Sequence, residues 1–183
     1  MSTTSRILTA LRNVFSPASR RASVPGVVRP ASVRSKADAH SETDAGRFGP
    51  SATVEVDASS IGSVRLGYAP NVDGDPDPGE VVWTWVPYEE RDGRGKDRPV
   101  ILVAREKSGC LLAVQLTSKE HDGERGYVDL GTGSWDAEGR RSWANIDRVF
   151  RVFADGMRRE AASLDAARYD HVASALRARY GWR

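Results

Sequence analysis

Arg91, Arg94, Lys96 and Arg98 crowd into one short stretch, and the last stands directly before Pro99. Arg98 opens the most apolar run in the chain, Pro99-Val100-Ile101-Leu102-Val103-Ala104. A strand built from that run would hold the guanidinium steady, where a loop tip would not. Its rigid fork of donors matches phosphate oxygens, so phosphate binding is one reading. An ion pair with Asp97, Glu89 or Glu90 is the other. A hydroxyl pair, Thr117-Ser118, follows a second apolar run, Cys110 to Leu116. If the two runs pair as a hairpin, the start of one lies near the end of the other, and Arg98 meets Thr117 at one rim. A hydroxyl donor beside a phosphate-gripping arginine can stabilise the charge that grows on a phosphorane-like transition state. The competing reading is that Thr117 caps a turn.

Other chemistries lack their residues. There is no G-x-S-x-G, no Walker A and no H-E-x-x-H. Gly131-Thr132-Gly133 is too short for a dinucleotide fingerprint and opens no helix. Cys110 is the single cysteine, which excludes an intrachain disulfide framework and a cysteine-clustered zinc site. It also fits a reducing compartment. His40, His121 and His171 are too scattered for a metal site. Asp73, Asp75 and Asp77 alternate as in a calcium loop, but Pro76 and Pro78 interrupt them and no glutamate closes the loop. No metal and no cofactor are expected.

The elements that must position Arg98 and Thr117 read as short strands. Glu80 to Val86 is β-branched and aromatic, and Pro87 ends it. Tyr88 to Asp97 reads as a polar loop. Residues 99–104 look buried on both faces and 110–116 form a third strand. A fourth covers Tyr127 to Leu130, and Trp143 to Val152 gives a fifth. Short strands with short turns imply an antiparallel meander closing into a small barrel or sandwich. Tyr169, Val172, Ala173, Leu176 and Tyr180 share one face of a C-terminal helix. Ser163 or Asp165 can cap its start and Gly181 its end.

The 183 residues suit one domain with length to spare. Residues 1–50 are rich in Ser, Ala, Arg and Pro and read as a disordered basic leader. Ile7, Leu8, Leu11, Val14 and Phe15 fall at helical spacing within it, either as a basic amphipathic helix or as a transient one. The acid-poor start fits a transit peptide, a disordered tail or an over-extended gene start. Residues 51–77 read as a linker with a possible short strand at Thr53 to Asp57, and 78–183 as the folded domain. No apolar run is long enough to span a membrane. The net charge is only +2, so the chain is no polycation.

The order Gly79-Glu80-Val81-Val82-Trp83, Pro87, Gly95-Lys96-Asp97-Arg98-Pro99-Val100, Leu116-Thr117-Ser118, then Ile146-Asp147-Arg148-Val149 before a helix, resembles the PemK/MazF family of toxin endoribonucleases. The resemblance covers about residues 78–183. It implies an SH3-like barrel, a homodimer, and metal-independent cutting of single-stranded RNA in the cytoplasm, checked by a cognate antitoxin. It places the catalytic arginine on Arg98 and the catalytic threonine on Thr117. Arg91, Arg94 and Lys96 would then track the RNA backbone, with Ser118 and His121 beside them. His121 could move a proton from a ribose 2′-hydroxyl, or be an exposed loop residue. The family's Asp-Gln pair falls on Asp147 and Arg148, so the glutamine is replaced. The long leader is a second departure. The alternative is a barrel that keeps the fold as a non-catalytic RNA- or protein-binding module.

Overall fold

A computed structural model of the chain describes residues 45–71 and 73–183, with the backbone alone at 160 and 161. The expected leader through residue 44, including the patterned patch at residues 7–15, lies outside the described residues. Seven strands form one antiparallel sheet: β1 (Val54–Val56), β2 (Glu80–Pro87), β3 (Gly95–Arg105), β4 (Leu111–Thr117), β5 (Tyr127–Gly131), β6 (Ser142–Val152) and β7 (Arg158–Ser163). A single 3₁₀ turn, Ala154–Gly156, precedes β7, and one helix, α1 (Ala166–Tyr180), follows it. The order across the sheet is β1-β6-β4-β3-β2-β7, with β5 also on β6.

Alternation explains how both faces of the sheet are buried. Leu111 and Ala113 of β4 join Val100, Leu102, Val82, Val86, Phe150 and Val152 in one cluster. Leu112, Val114 and Leu116 join Ile101 and Val149 in the other, which α1 covers through Val172, Ala173 and Leu176. The first cluster is made almost wholly of strand side chains, so the sheet curls over its own apolar face. Residues 100–104 are fully buried, as their unbroken apolar run implies. The expected barrel closure is not made by strand pairing. The described ladder has two ends, β1 and β7, and no pairing joins them.

Three local features differ from the sequence expectation. β3 begins at Gly95, so Lys96, Asp97 and Arg98 are strand residues and the preceding loop is shorter than Tyr88 to Asp97. A Cβ at Gly95 would come within 2.5 Å of Trp85 Nε1 and of the Val86 carbonyl, so only glycine lets the two strands close there. β7 pairs with β2 through Arg-rich residues that carry no apolar alternation. β1, expected only as a possible short strand within a linker, pairs with β6, Val54 opposite Arg151.

Residues 45–78 carry core and hydrogen-bonding groups. Ala58, Val64 and Leu66 are buried in the helix-side cluster. The Trp85 amide donates to the Ala45 carbonyl at 2.9 Å. Thr84, fully buried on β2, gives its proton to the Gly156 carbonyl at 2.7 Å. Thr53 therefore donates to Thr84 Oγ1, 2.6 Å away. At the other end, the Arg183 amide donates to Val64 O at 2.9 Å. Asp165 caps α1 by accepting from the Arg168 amide at 2.8 Å, and Gly181 ends it with φ 69°. Tyr169 buries its ring and donates to Val103 O at 2.7 Å, tying α1 to β3.

Candidate active site at the rim of β3 and β4

Val100 of β3 faces Gln115 of β4. Two residues further out on each strand come Arg98 and Thr117. The ladder stops short of them because Pro99 has no N–H to give. Register from the paired residues still sets the two side chains at the same level, at the open end of the hairpin. Both line one cleft of 370 Å³, together with Lys96, Ser118, Trp83 and Trp135.

The Arg98 guanidinium makes no hydrogen bond or ion pair with any described residue. The competing ion pair is absent for a local reason. Asp97 points to β7 and accepts from Arg158 Nη2 at 3.0 Å, while Glu89 and Glu90 are exposed at the rim of a second cleft that Arg98 also lines, and neither pairs with it. An arginine half-buried at a rim without a carboxylate keeps its full donor fork for a ligand. Thr117 Oγ1 accepts from the Lys119 amide at 3.2 Å. The turn-capping contact is thus present, and it uses the oxygen while leaving the hydroxyl proton to donate into the cleft.

The other candidates separate into two groups. Lys96 and Ser118 share the cleft with Arg98 and Thr117. Arg94 lies at the exposed hairpin tip, its Nε on Asp92 at 2.6 Å. Backbone and side-chain hydrogen bonds from Arg94 hold the Asp92 carboxyl below the usual range. Arg91 adopts a left-handed backbone, φ 52°, and borders a different cleft with Asp147 and Arg148. His121 is not an exposed loop residue. Its ring stacks on Tyr127 with centroids 3.6 Å apart, and Nδ1 lies 3.0 Å from Glu124 Oε2. It lines neither cleft that holds Arg98.

Asp147 and Arg148 part company. Asp147 is exposed and pairs with Arg179 on α1 at 2.7 Å. Arg148 is buried, donating from Nε and Nη2 to Glu55 and from Nη2 to Pro87 O at 2.8 Å. Among the described residues no cluster of three or more His, Cys, Asp or Glu is arranged to hold a metal ion.

The segment between β5 and β6 completes the cleft, and sequence patterning did not single it out as a site. Trp135 is buried there with its Nε1 unpartnered. A Cβ at Gly133 would fall within 2.1 Å of the Trp135 ring, so glycine is what lets the indole fold back. Asp136, Glu138 and Arg140 form the outer wall, Arg140 reaching Asp136 at 2.9 Å. Burial alone would raise the Asp136 carboxyl, but hydrogen bonds from Arg140 and from the Glu138 amide outweigh it and hold it below the usual range. The Gly-x-Trp spacing was the available signal.

Residues 77–179 match the model of the PemK-like, MazF-like toxins of type II toxin–antitoxin systems. That is more than half of the chain, and the chain belongs to this family. Among solved structures, MazF from Deinococcus radiodurans is similar at 20% identity, covering 58% of this chain and 96% of that one, with a TM-score of 0.44. A MazE–MazF structure from the same organism matches at 20% identity over 59% and 98% of the two chains, TM-score 0.44. The Mycobacterium tuberculosis toxin MazF-mt6 matches at 17% identity over 56% and 98%, TM-score 0.40. No curated protein matches the sequence.

Proposed function

We propose that this chain is a metal-independent endoribonuclease that cuts single-stranded RNA in the cytoplasm. The observation that carries the reading is the Arg98 guanidinium, without a carboxylate partner, sharing one cleft with the Thr117 hydroxyl. The ribose 2′-oxygen attacks the adjacent phosphorus, its proton passing to solvent. The bond from phosphorus to the 5′-oxygen breaks, and that oxygen takes up a proton. Arg98 holds the scissile phosphate and offsets the charge that builds on it. Thr117 donates to a non-bridging oxygen. Lys96 and Ser118 position the strand in the cleft, and Arg91 and Arg94 meet the backbone further out.

The same basic rim suits an acidic, disordered antitoxin tail, which would cover Arg98 and compete with RNA. The unpaired strand edges at β1 and β7 suit a two-fold homodimer built on a curled antiparallel barrel.

The full chain incubated with single-stranded RNA in EDTA tests the reading. Cleavage is expected, with Arg98→Ala lowering the rate about 10²–10³-fold and Thr117→Val lowering it by a similar factor. RNA left whole by the parent, or cut equally fast by both variants, would overturn it. Light scattering that finds only monomer at micromolar concentration would remove the dimer.

A further inference from the structure

The interior of the curled sheet opens into a second cleft, of 350 Å³, and Arg98 lines both this cleft and the first. Gln115 faces it from β4, on the same side of the strand as Ala113 and Thr117 by alternation. It is 9% exposed. Its Oε1 is buried with no hydrogen-bond partner, and its Nε2 bonds to no described residue. A carboxamide offers an acceptor and two donors, and burying it unpaired is costly. Val114 and Leu116 on either side of it face the other cluster, and its same-side neighbours, Ala113 and Thr117, make no hydrogen bond to it. An unsatisfied amide that opens on a cleft is a reader waiting for a complementary edge.

The walls say what that edge is. Arg148 also lines the cleft, but its charge is already met by Glu55 and its Nη2 is shared with Pro87 O. Glu89 and Glu90 place two carboxylates at the rim, where they repel a phosphate. Tyr88 supplies an aromatic face. A nucleobase fits where a phosphate does not. The carboxylates and Gln115 Oε1 are all acceptors, so they favour a base with an exocyclic amino group. Gln115 Nε2 supplies the donor for a ring nitrogen beside that group.

We propose that Gln115 is a specificity residue that reads the nucleobase next to the phosphate held by Arg98, and that this base is adenine or cytosine rather than uracil. The proposal rests on the ribonuclease reading above. With the phosphate on Arg98, which lines both clefts, the flanking nucleotides fall one into each. Glutamine pairing with the amino group and adjacent ring nitrogen of adenine is a common form of base reading, and the edges of single-stranded RNA are open to it.

Two measurements test it on the full chain. In the first, matched oligonucleotides that differ only at the nucleotide beside the cut are compared. The parent is expected to cut those with adenine or cytosine faster than those with uracil. Gln115→Leu, similar in size but without polar atoms, is expected to reduce that ratio about tenfold. An unchanged ratio in the variant, or a parent with no preference there, would overturn the proposal. In the second, the side-chain amide signal of Gln115 is followed by NMR as adenosine, cytidine or uridine 5′-monophosphate is added. A shift with the first two but not the third supports base reading even if no RNA is cut, in which case only the catalytic reading fails. An amide unmoved by all three, or moved equally, overturns the proposal whether or not RNA is cut.

Discussion

Asp97 accepts a hydrogen bond from Arg158 at 3.0 Å, and its chain neighbour Arg98 is left without a carboxylate. Adjacent strand residues point to opposite faces, so Asp97 cannot turn back to Arg98 without leaving β7. Arg158 also lies over the Trp83 ring at 5.5 Å, and Trp83 lines the same cleft as Arg98. One carboxylate thus restrains a second cation at the edge of the candidate site.

Neutralising that carboxylate weakens one restraint on Arg158 and removes a negative charge from the wall of the cleft. Asp97→Asn should lower KM for RNA a few-fold at low salt. It should also steepen the dependence of log KM on log salt by about 0.7, the contribution of one additional phosphate contact on a single strand. Steady-state kinetics across a salt series measures both, and an unaltered slope would place Arg158 out of reach of RNA.

The Glu55–Arg148 pair is mostly buried, with side chains 16% and 10% exposed. Glu55→Ala leaves the Arg148 guanidinium in place without its counter-charge. A loss of about 3 kcal/mol in unfolding free energy is expected by urea denaturation. Replacing both partners with apolar residues of similar volume should recover most of it. A single-variant loss near zero would mean that water already reaches the pair.

Burial pushes the Tyr169 phenol up to about 12, whereas an unfolded tyrosine titrates near ~10. The folded form therefore keeps its proton longer than the unfolded one. The contribution is whole below about pH 10 and is lost as pH rises toward about 12. Tyr169→Phe should remove that decline and cost about 1 kcal/mol near neutral pH through the lost bond to Val103 O. Denaturant midpoints for both chains near pH 9 and pH 11 provide the check.

The sequence made the hairpin of β3 and β4 legible because its apolar runs are unbroken and its turn is short. From that alone Arg98 and Thr117 could be set at one rim. β7 was not legible, since Arg158, Arg159 and Ser163 show no apolar alternation and the strand is held by pairing to β2 and by the Arg159–Glu80 contact. Ala58, Val64 and Leu66 were passed over because they dock singly, without a period that marks an element. Gln115 was visible as one polar letter inside an apolar run. What could not be read was that both ends of its amide go unpaired, since Arg148, which lines the same cleft, is bonded to Glu55 and Pro87 instead.

β6 serves three neighbours at once: β4 along its length, β5 near its start and β1 near its end. Glu55 and Arg148 are 93 residues apart in the chain. Closing that loop is slow compared with forming a hairpin. Pulse-labelled hydrogen exchange should protect amides of β3 and β4 before those of β1. Simultaneous protection would show one concerted step. Arg98 and Thr117 sit on a hairpin whose strands are local in sequence, so this candidate pair is assembled early. The cleft that holds Gln115 is also lined by Arg148, whose partner Glu55 is distant in the chain, so that cleft is the last part of the candidate site to be completed.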